Sequence, residues 1–230
     1  DVAAVIVEPV AANMGLVPPA PGFLEGLRAA CDRAGALLIF DEVITGFRLG
    51  VGGAQARFGI TPDLTMLGKV VGGGLPLAAF GGRRDVMEQL APIGPVYQAD
   101  TLSGNPLATA AGLAVLDLLD DGAFTMLEGR AEELARLLPP VLGEGGAQVQ
   151  MPRVGTMVGL FFADASVTSY DDAKAAAANG IYARFFTAML ERGVALAPSP
   201  YEILFPSLAH TWDDIERTVD LASAAIRQAL

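Results

Sequence analysis

Thiols, imidazoles and basic side chains are scarce in this 230-residue chain, which has one cysteine, one histidine and one tryptophan, and 15 Lys and Arg against 26 Asp and Glu. A lone Cys31 excludes an internal disulfide and suits a reducing compartment, so a cytoplasmic location is expected. One histidine and one cysteine leave no set for a zinc cluster and no Cys/His nucleophile pair. A net charge of −11 argues against nucleic acid or an anionic membrane surface as partner. Gly and Pro interrupt every apolar run before it could span a bilayer. Two nucleotide signatures are also missing. A P-loop would need Gly and Ser/Thr where Asp63 and Val70 stand, and no G-x-G-x-x-G opens the first βα turn.

Hydrophobic residues make up 52% of the chain, enough for a packed core. Residue 1 is Asp, followed at once by the strand-like Val2-Ala3-Ala4-Val5-Ile6-Val7, which points to a piece of a longer protein. Phe23, Leu27, Ala30, Cys31 and Ala34 recur at helical spacing, and Gly35 supplies a stop. The apolar run 36–40 reads as a buried parallel strand ending in Asp41 and Glu42. Residues 64–67 form a second strand, ending in Gly68-Lys69, and 77–80 a further one. A short helix is expected over 84–90 and a long one over 107–119, with Asn105 as its cap and Pro106 in its first turn. Alternating strands and helices imply an α/β unit with a mostly parallel sheet over 1–122.

Residues 123–230 read as a smaller α+β domain. It has a helix over 128–138 stopped by Pro139-Pro140, strands within 154–162, a helix over 181–192, and short strands at 194–197 and 203–205. Its last helix is capped by Thr211 with Asp214, and Ile215, Val219, Ala222 and Ile226 form the buried stripe.

Ligands collect at the carboxyl ends of parallel strands. Asp41 and Lys69 therefore face one crevice, either as a buried ion pair or as a site. A buried amine with a lowered pKa can act as a nucleophile and form a Schiff base. A carboxylate beside a pyridine nitrogen keeps that nitrogen protonated. Hydroxyls at Thr101 and Ser103, ahead of a helix N-terminus, suit a phosphate or serve only as a cap. Together these needs describe pyridoxal phosphate, although each has an ordinary structural explanation. His210, ahead of the last helix, either satisfies backbone groups or acts as a base with no nucleophile near it in sequence.

The run Leu38-Ile39-Phe40-Asp41-Glu42-Val43-Ile44-Thr45-Gly46-Phe47-Arg48 resembles the signature of class III aminotransferases. So does Asp63-Leu64-Thr65-Met66-Leu67-Gly68-Lys69-Val70-Val71-Gly72-Gly73-Gly74-Leu75-Pro76. Residues 8–15, 97–106 and 207–211 narrow the resemblance to the branch of that family acting on glutamate-1-semialdehyde. It covers essentially the whole chain and implies the C-terminal portion of a homodimeric enzyme of the aspartate aminotransferase fold (fold type I), with pyridoxal 5'-phosphate as cofactor. The implied reaction moves an amino group within glutamate-1-semialdehyde to give 5-aminolevulinate, the tetrapyrrole precursor. The alternatives are an ω-aminotransferase of the same class and a truncated, non-catalytic scaffold.

By motif position the resemblance makes Lys69 the Schiff-base lysine and proton shuttle. It pairs Asp41 with the pyridinium nitrogen and packs Val43 on a ring face. Thr101 would reach the phosphate of the neighbouring subunit's cofactor, Asn13 would lie near the ring hydroxyl, and Glu202 would face the substrate. Three positions depart from the family pattern. Asp100 and Ala12 stand at usual glycines, and Ile203-Leu204 follow Glu202 where small residues are usual. The family's phosphate cup and cofactor-stacking aromatic would lie ahead of Asp1.

Overall fold

Strand β2 (Leu37–Glu42) is an inner strand on which the first half of the chain is built. The computed structural model describes all 230 residues, and they divide into two compact units. The first comprises Asp1–Pro9 and Pro19–Asp121, the second Val10–Pro18 and Gly122–Leu230. Val10–Pro18 thus packs with the second unit although it precedes most of the first in sequence.

In the first unit, β1 (Ala4–Val7), β2, β3 (Leu64–Leu67) and β4 (Ala79–Gly82) form one sheet in that order. β1 and β3 flank β2 in parallel, and β4 runs antiparallel to β3. The expected strand at 77–80 is thus shifted two residues along. Side chains alternate along β2. Leu38, Phe40 and Glu42 are buried on one face, while Leu37, Ile39 and Asp41 are half-buried on the other. Helix α1 (Phe23–Ala34) covers the buried face with Leu24 and Cys31, joined by Ile60. Gly35 ends α1 in the left-handed conformation, and its N–H returns to the Asp32 and Cys31 carbonyls. Two short helices follow, α2 (Gly53–Phe58) and α3 (Arg84–Met87), the latter ending before the expected residue 90. In α4 (Pro106–Leu116) the Asn105 side chain accepts the N–H groups of Leu107 and Ala108, with Pro106 in the first turn.

Asp63 fastens these elements together. Its carboxylate accepts the Leu38 N–H of β2 (2.7 Å), Arg28 of α1 (2.8 Å) and Arg83, just beyond β4 (2.9 Å). Burial alone would raise its pKa, but the three donors outweigh burial and hold the carboxyl at about 2.

The second unit is built on α5 (Asp121–Glu144), α6 (Tyr170–Ala178), α7 (Ile181–Glu191) and α8 (Trp212–Ala229), with one small antiparallel pair, β5 (Arg153–Val154) and β6 (Met157–Val158). Leu138, Leu142, Phe162, Phe185, Met189 and Ile226 are central to its core. Pro139 and Pro140 lie inside α5 and do not end it. Leu134, Leu138 and Leu142 are all buried on one face, and burying each contributes about 1.5–3 kcal/mol, which offsets the amide hydrogen bonds the prolines cannot make. The strands expected at 194–197 and 203–205 are absent as ladders. Leu204 makes only an isolated bridge to Val158. Helix α6 was not anticipated, although Ser169 caps it by accepting the Asp172 N–H. Thr211 and Asp214 form the expected reciprocal cap of α8, and Ile215, Val219, Ala222 and Ile226 are buried. No helix is long and apolar enough to cross a membrane.

The Asp63 carboxyl lies below its ordinary 3.8, so its stabilisation is complete above about pH 4 and is lost as pH falls through about 2. The shift corresponds to about 2 kcal/mol. Urea unfolding across pH 2–6 should show Asp63→Asn less stable by that order at pH 6, with the gap closing toward pH 2. A gap that does not change with pH would contradict the role given to this carboxylate.

Candidate functional site

The carboxyl ends of β2 and β3 lie side by side, with Asp41 opposite Met66 and Glu42 opposite Leu67. Parity along β2 separates the two adjacent acids. Glu42 points to the buried face, where it accepts the Thr45 hydroxyl (3.0 Å), the Ala54 N–H (2.6 Å) and the Gln55 side-chain amide (3.0 Å). Gly53 is held at φ +60°, and a Cβ there would fall 2.2 Å from Glu42 Oε2. Glu42 is therefore a structural acid, tying the 45–55 loop to the sheet. Asp41 lies on the opposite face with Ile39. Its Oδ1 accepts the Val43 N–H at 3.0 Å, which leaves Oδ2 for a ligand.

Lys69 follows β3 directly, at the first position of the 3₁₀ turn Lys69–Gly72. Its backbone is left-handed (φ 49°), uncommon for a residue with a side chain and a mark of local strain that concentrates at functional positions. Lys69, expected as a buried amine, is instead exposed. Val43 reaches the same place, since a Cβ on Gly68 would lie 3.1 Å from Val43 Cγ1. Asp41, Val43 and Lys69 thus gather at the carboxyl ends of two adjacent strands, and no ion pair between Asp41 and Lys69 is formed.

Beside them opens a cleft of about 880 Å³ whose walls include Ile39, Val43, Met66, Phe80, Asp100 and Ser103. Thr101 is exposed in the turn ahead of α4. The Asn105 side chain already occupies the first free N–H groups of that helix, so they are not open to an anion as the hydroxyl pattern suggested. Asp100 is likewise engaged locally, its Oδ1 accepting the Leu102 N–H at 2.9 Å.

Asn13 and Glu202 belong to the second unit, and both are exposed. The loop bearing Asn13 is closed by the Val17 N–H donating to the Ala11 carbonyl at 2.8 Å. Burial first, and then the charge of Glu202, push the Tyr182 hydroxyl up to about 12; that hydroxyl donates to the Ala197 carbonyl at 2.7 Å. His210 serves the backbone, its Nδ1 accepting the Ser207 N–H at 3.0 Å. No group of three or more His, Cys, Asp or Glu side chains could hold a metal ion. Two features of the site escaped the sequence reading: the division of labour between Asp41 and Glu42, which strand parity could have revealed, and the left-handed Lys69, for which its flanking glycines were the only hint.

The family model described as Aminotransferase class-III matches residues 1–226. Glutamate-1-semialdehyde 2,1-aminomutase of Pelotomaculum thermopropionicum is 56% identical over 231 residues, covering 100% of this chain and 53% of that protein. The protein of the same name from Thermomicrobium roseum is 56% identical over 228 residues, covering 99% of this chain and 53% of its own length. The chain therefore spans about half the length of the curated relatives it matches. Among solved structures, an omega-transaminase from Sphaerobacter thermophilus superposes with a TM-score of 0.89 at 31% identity, over 98% of this chain and 52% of that one. A glutamate-1-semialdehyde-aminomutase from Pseudomonas aeruginosa, in complex with PMP, does so with a TM-score of 0.87 at 28% identity, over 99% and 52%. The fold is that of the transaminases, and the chain belongs to the class III aminotransferase family.

Proposed function

We propose that this chain carries the cofactor lysine of a pyridoxal-phosphate enzyme that converts glutamate-1-semialdehyde to 5-aminolevulinate. The observation that carries the reading is the strained, exposed Lys69 set against Val43, with Asp41 at the end of the next strand. These residues fit the cofactor's chemistry. The exposed amine can bond to an aldehyde, the unpaired Oδ2 of Asp41 can accept a pyridinium N–H, and Val43 offers an apolar wall for a ring. When bound, the cofactor supplies an electron sink for breaking bonds next to an amino group.

Each residue has a distinct task. Lys69 Nζ anchors the cofactor and, when released, moves protons between substrate carbons. Asp41 keeps the ring nitrogen protonated through its negative charge. The Thr101 hydroxyl is assigned to the phosphate of the neighbouring subunit's cofactor, Asn13 to the ring hydroxyl and Glu202 to the substrate, all three on family resemblance. The choice of substrate rests on relatives of that name at 51–56% identity. An omega-transaminase and an aminomutase are about equally close in structure, so the fold does not discriminate between them.

The reading of a homodimer is supported by α4, whose side chains are apolar nearly all round although Leu107 and Leu113 stand 73% and 60% exposed. Such a helix is ordinarily buried. A second copy of the chain is the partner we assign to it. The unpaired thiol of Cys31 accords with a cytoplasmic setting.

In a polypeptide carrying this chain at the length of its relatives, pyridoxal phosphate should produce a visible absorbance band that Lys69→Ala abolishes. Turnover should fall on the order of 10³-fold or more. A band that survives in Lys69→Ala would remove Lys69 from this role. The same protein should form 5-aminolevulinate from the semialdehyde without an external amino donor or acceptor. A strict need for an external acceptor would assign the omega-transaminase reaction instead. Sedimentation at micromolar concentration should show Leu113→Glu shifting dimer toward monomer, and an unchanged profile would take α4 out of the interface.

A further inference from the structure

Two exposed polar side chains of the second unit, Asn13 and Glu202, sit on separate loops, which the fold joins by a backbone hydrogen bond at Gly15 and by shared packing around Phe161. The first loop leaves little freedom outside its tip. Val10, Ala12 and Leu16 are almost wholly buried on either side of Asn13, and the Ala11–Val17 bond closes the base. Gly15 carries its hydrogen bond to the turn that bears Glu202. The Gly15 N–H donates to the Tyr201 carbonyl at 2.7 Å, one residue before Glu202. The Glu202 N–H in turn donates to the Ser199 carbonyl at 3.1 Å, which holds Glu202 in a turn.

The other side of Gly15 faces the Phe161 ring. A Cβ at Gly15 would stand 2.3 Å from both Cε1 and Cζ of that ring, and the backbone is left-handed at φ +78°. Phe161 has no easy way to yield. Its backbone exchanges two hydrogen bonds with Gln150 (2.8 and 2.9 Å), and its side chain is buried with Val17, Val167 and Ala173. The Tyr201 side chain packs on the same cluster, beside Ala11 and Met14, and its ring lies 6.2 Å from that of Tyr170.

We propose that Gly15, seated on the Phe161 ring and bonded to the Tyr201 carbonyl, is a positioning residue that makes the Asn13 loop and the Glu202 turn move as one body. Its importance for catalysis rests on the cofactor and substrate roles assigned above to Asn13 and Glu202. The coupling itself does not. A residue at Gly15 large enough to meet the ring lifts the loop, breaks the bond to Tyr201, and frees Glu202 from its fixed relation to Asn13.

The test is amide hydrogen exchange on the full 230-residue chain with Gly15→Ala and, separately, Phe161→Leu, which keeps an apolar side chain and puts no strain on the backbone. Each variant should accelerate exchange at residues 13–15 and 201–202 together, by about tenfold or more, while the amides of α8 keep their rates. If Gly15→Ala does not fold, Phe161→Leu gives the same readout. Faster exchange at 13–15 with no change at 201–202 would overturn the proposal, and so would acceleration spread evenly through α8. At the length of the relatives, Phe161→Leu should raise the KM for the semialdehyde severalfold while the visible band at Lys69 is retained. An unmodified protein with no such band would sink the proposed function; a normal band with an unchanged KM would sink the importance of Gly15 for catalysis.

Discussion

One carboxylate, Asp63, sets the geometry on which the rest of the first unit depends. It stands just ahead of β3 and draws its donors from α1, from β2 and from beyond β4. Each donor alone would be a modest interaction. Their convergence on one buried acid fixes where β3 starts relative to β2, and so where both strands end. The position of Asp41 against Lys69 is thus decided at the far end of the strands, by a residue that takes no part in chemistry.

At the near end, period-two alternation separates structure from chemistry. Two adjacent acids leave β2 in opposite directions. Glu42 enters the packed side and is consumed by donors from the following loop, while Asp41 lies half-buried on the opposite face. A shift of one residue in register would exchange these fates. The fastening at Asp63 and the face on which Asp41 lies are therefore one constraint seen from two ends.

Local signals in the chain were readable where the physics is local. Gly35 ended α1, Asn105 and Pro106 opened α4, and Thr211 with Asp214 opened α8, because caps act within one helical turn. The α/β alternation and the clustering of Asp41, Val43 and Lys69 were legible for a similar reason, since strand ends can be recognised from short apolar runs. Reading failed where distant packing overrides a local preference. Pro139 and Pro140 should have stopped α5, but the core needs Leu142 on the same face as Leu138. The apolar segments at 194–197 and 203–205 have strand composition yet find almost no strand partners. Lys69 reads as a buried amine from its place just past a strand end, whereas the structure leaves it exposed.

The chain passes between its two units three times, after Pro9, after Pro18 and after Asp121. A scissile cut at the last crossing, the obvious place to divide the protein, would not release the second unit whole. The fragment from Gly122 onward would lack a wall of its own core, because Val17 and Met14 fill space beside Phe161 and Tyr201. The severed first fragment would keep the Asn13 loop as a loose nonapeptide between two prolines. Any attempt to swap one half between relatives must therefore carry residues 10–18 with the distant half, or graft a donor loop that presents glycine to the same ring.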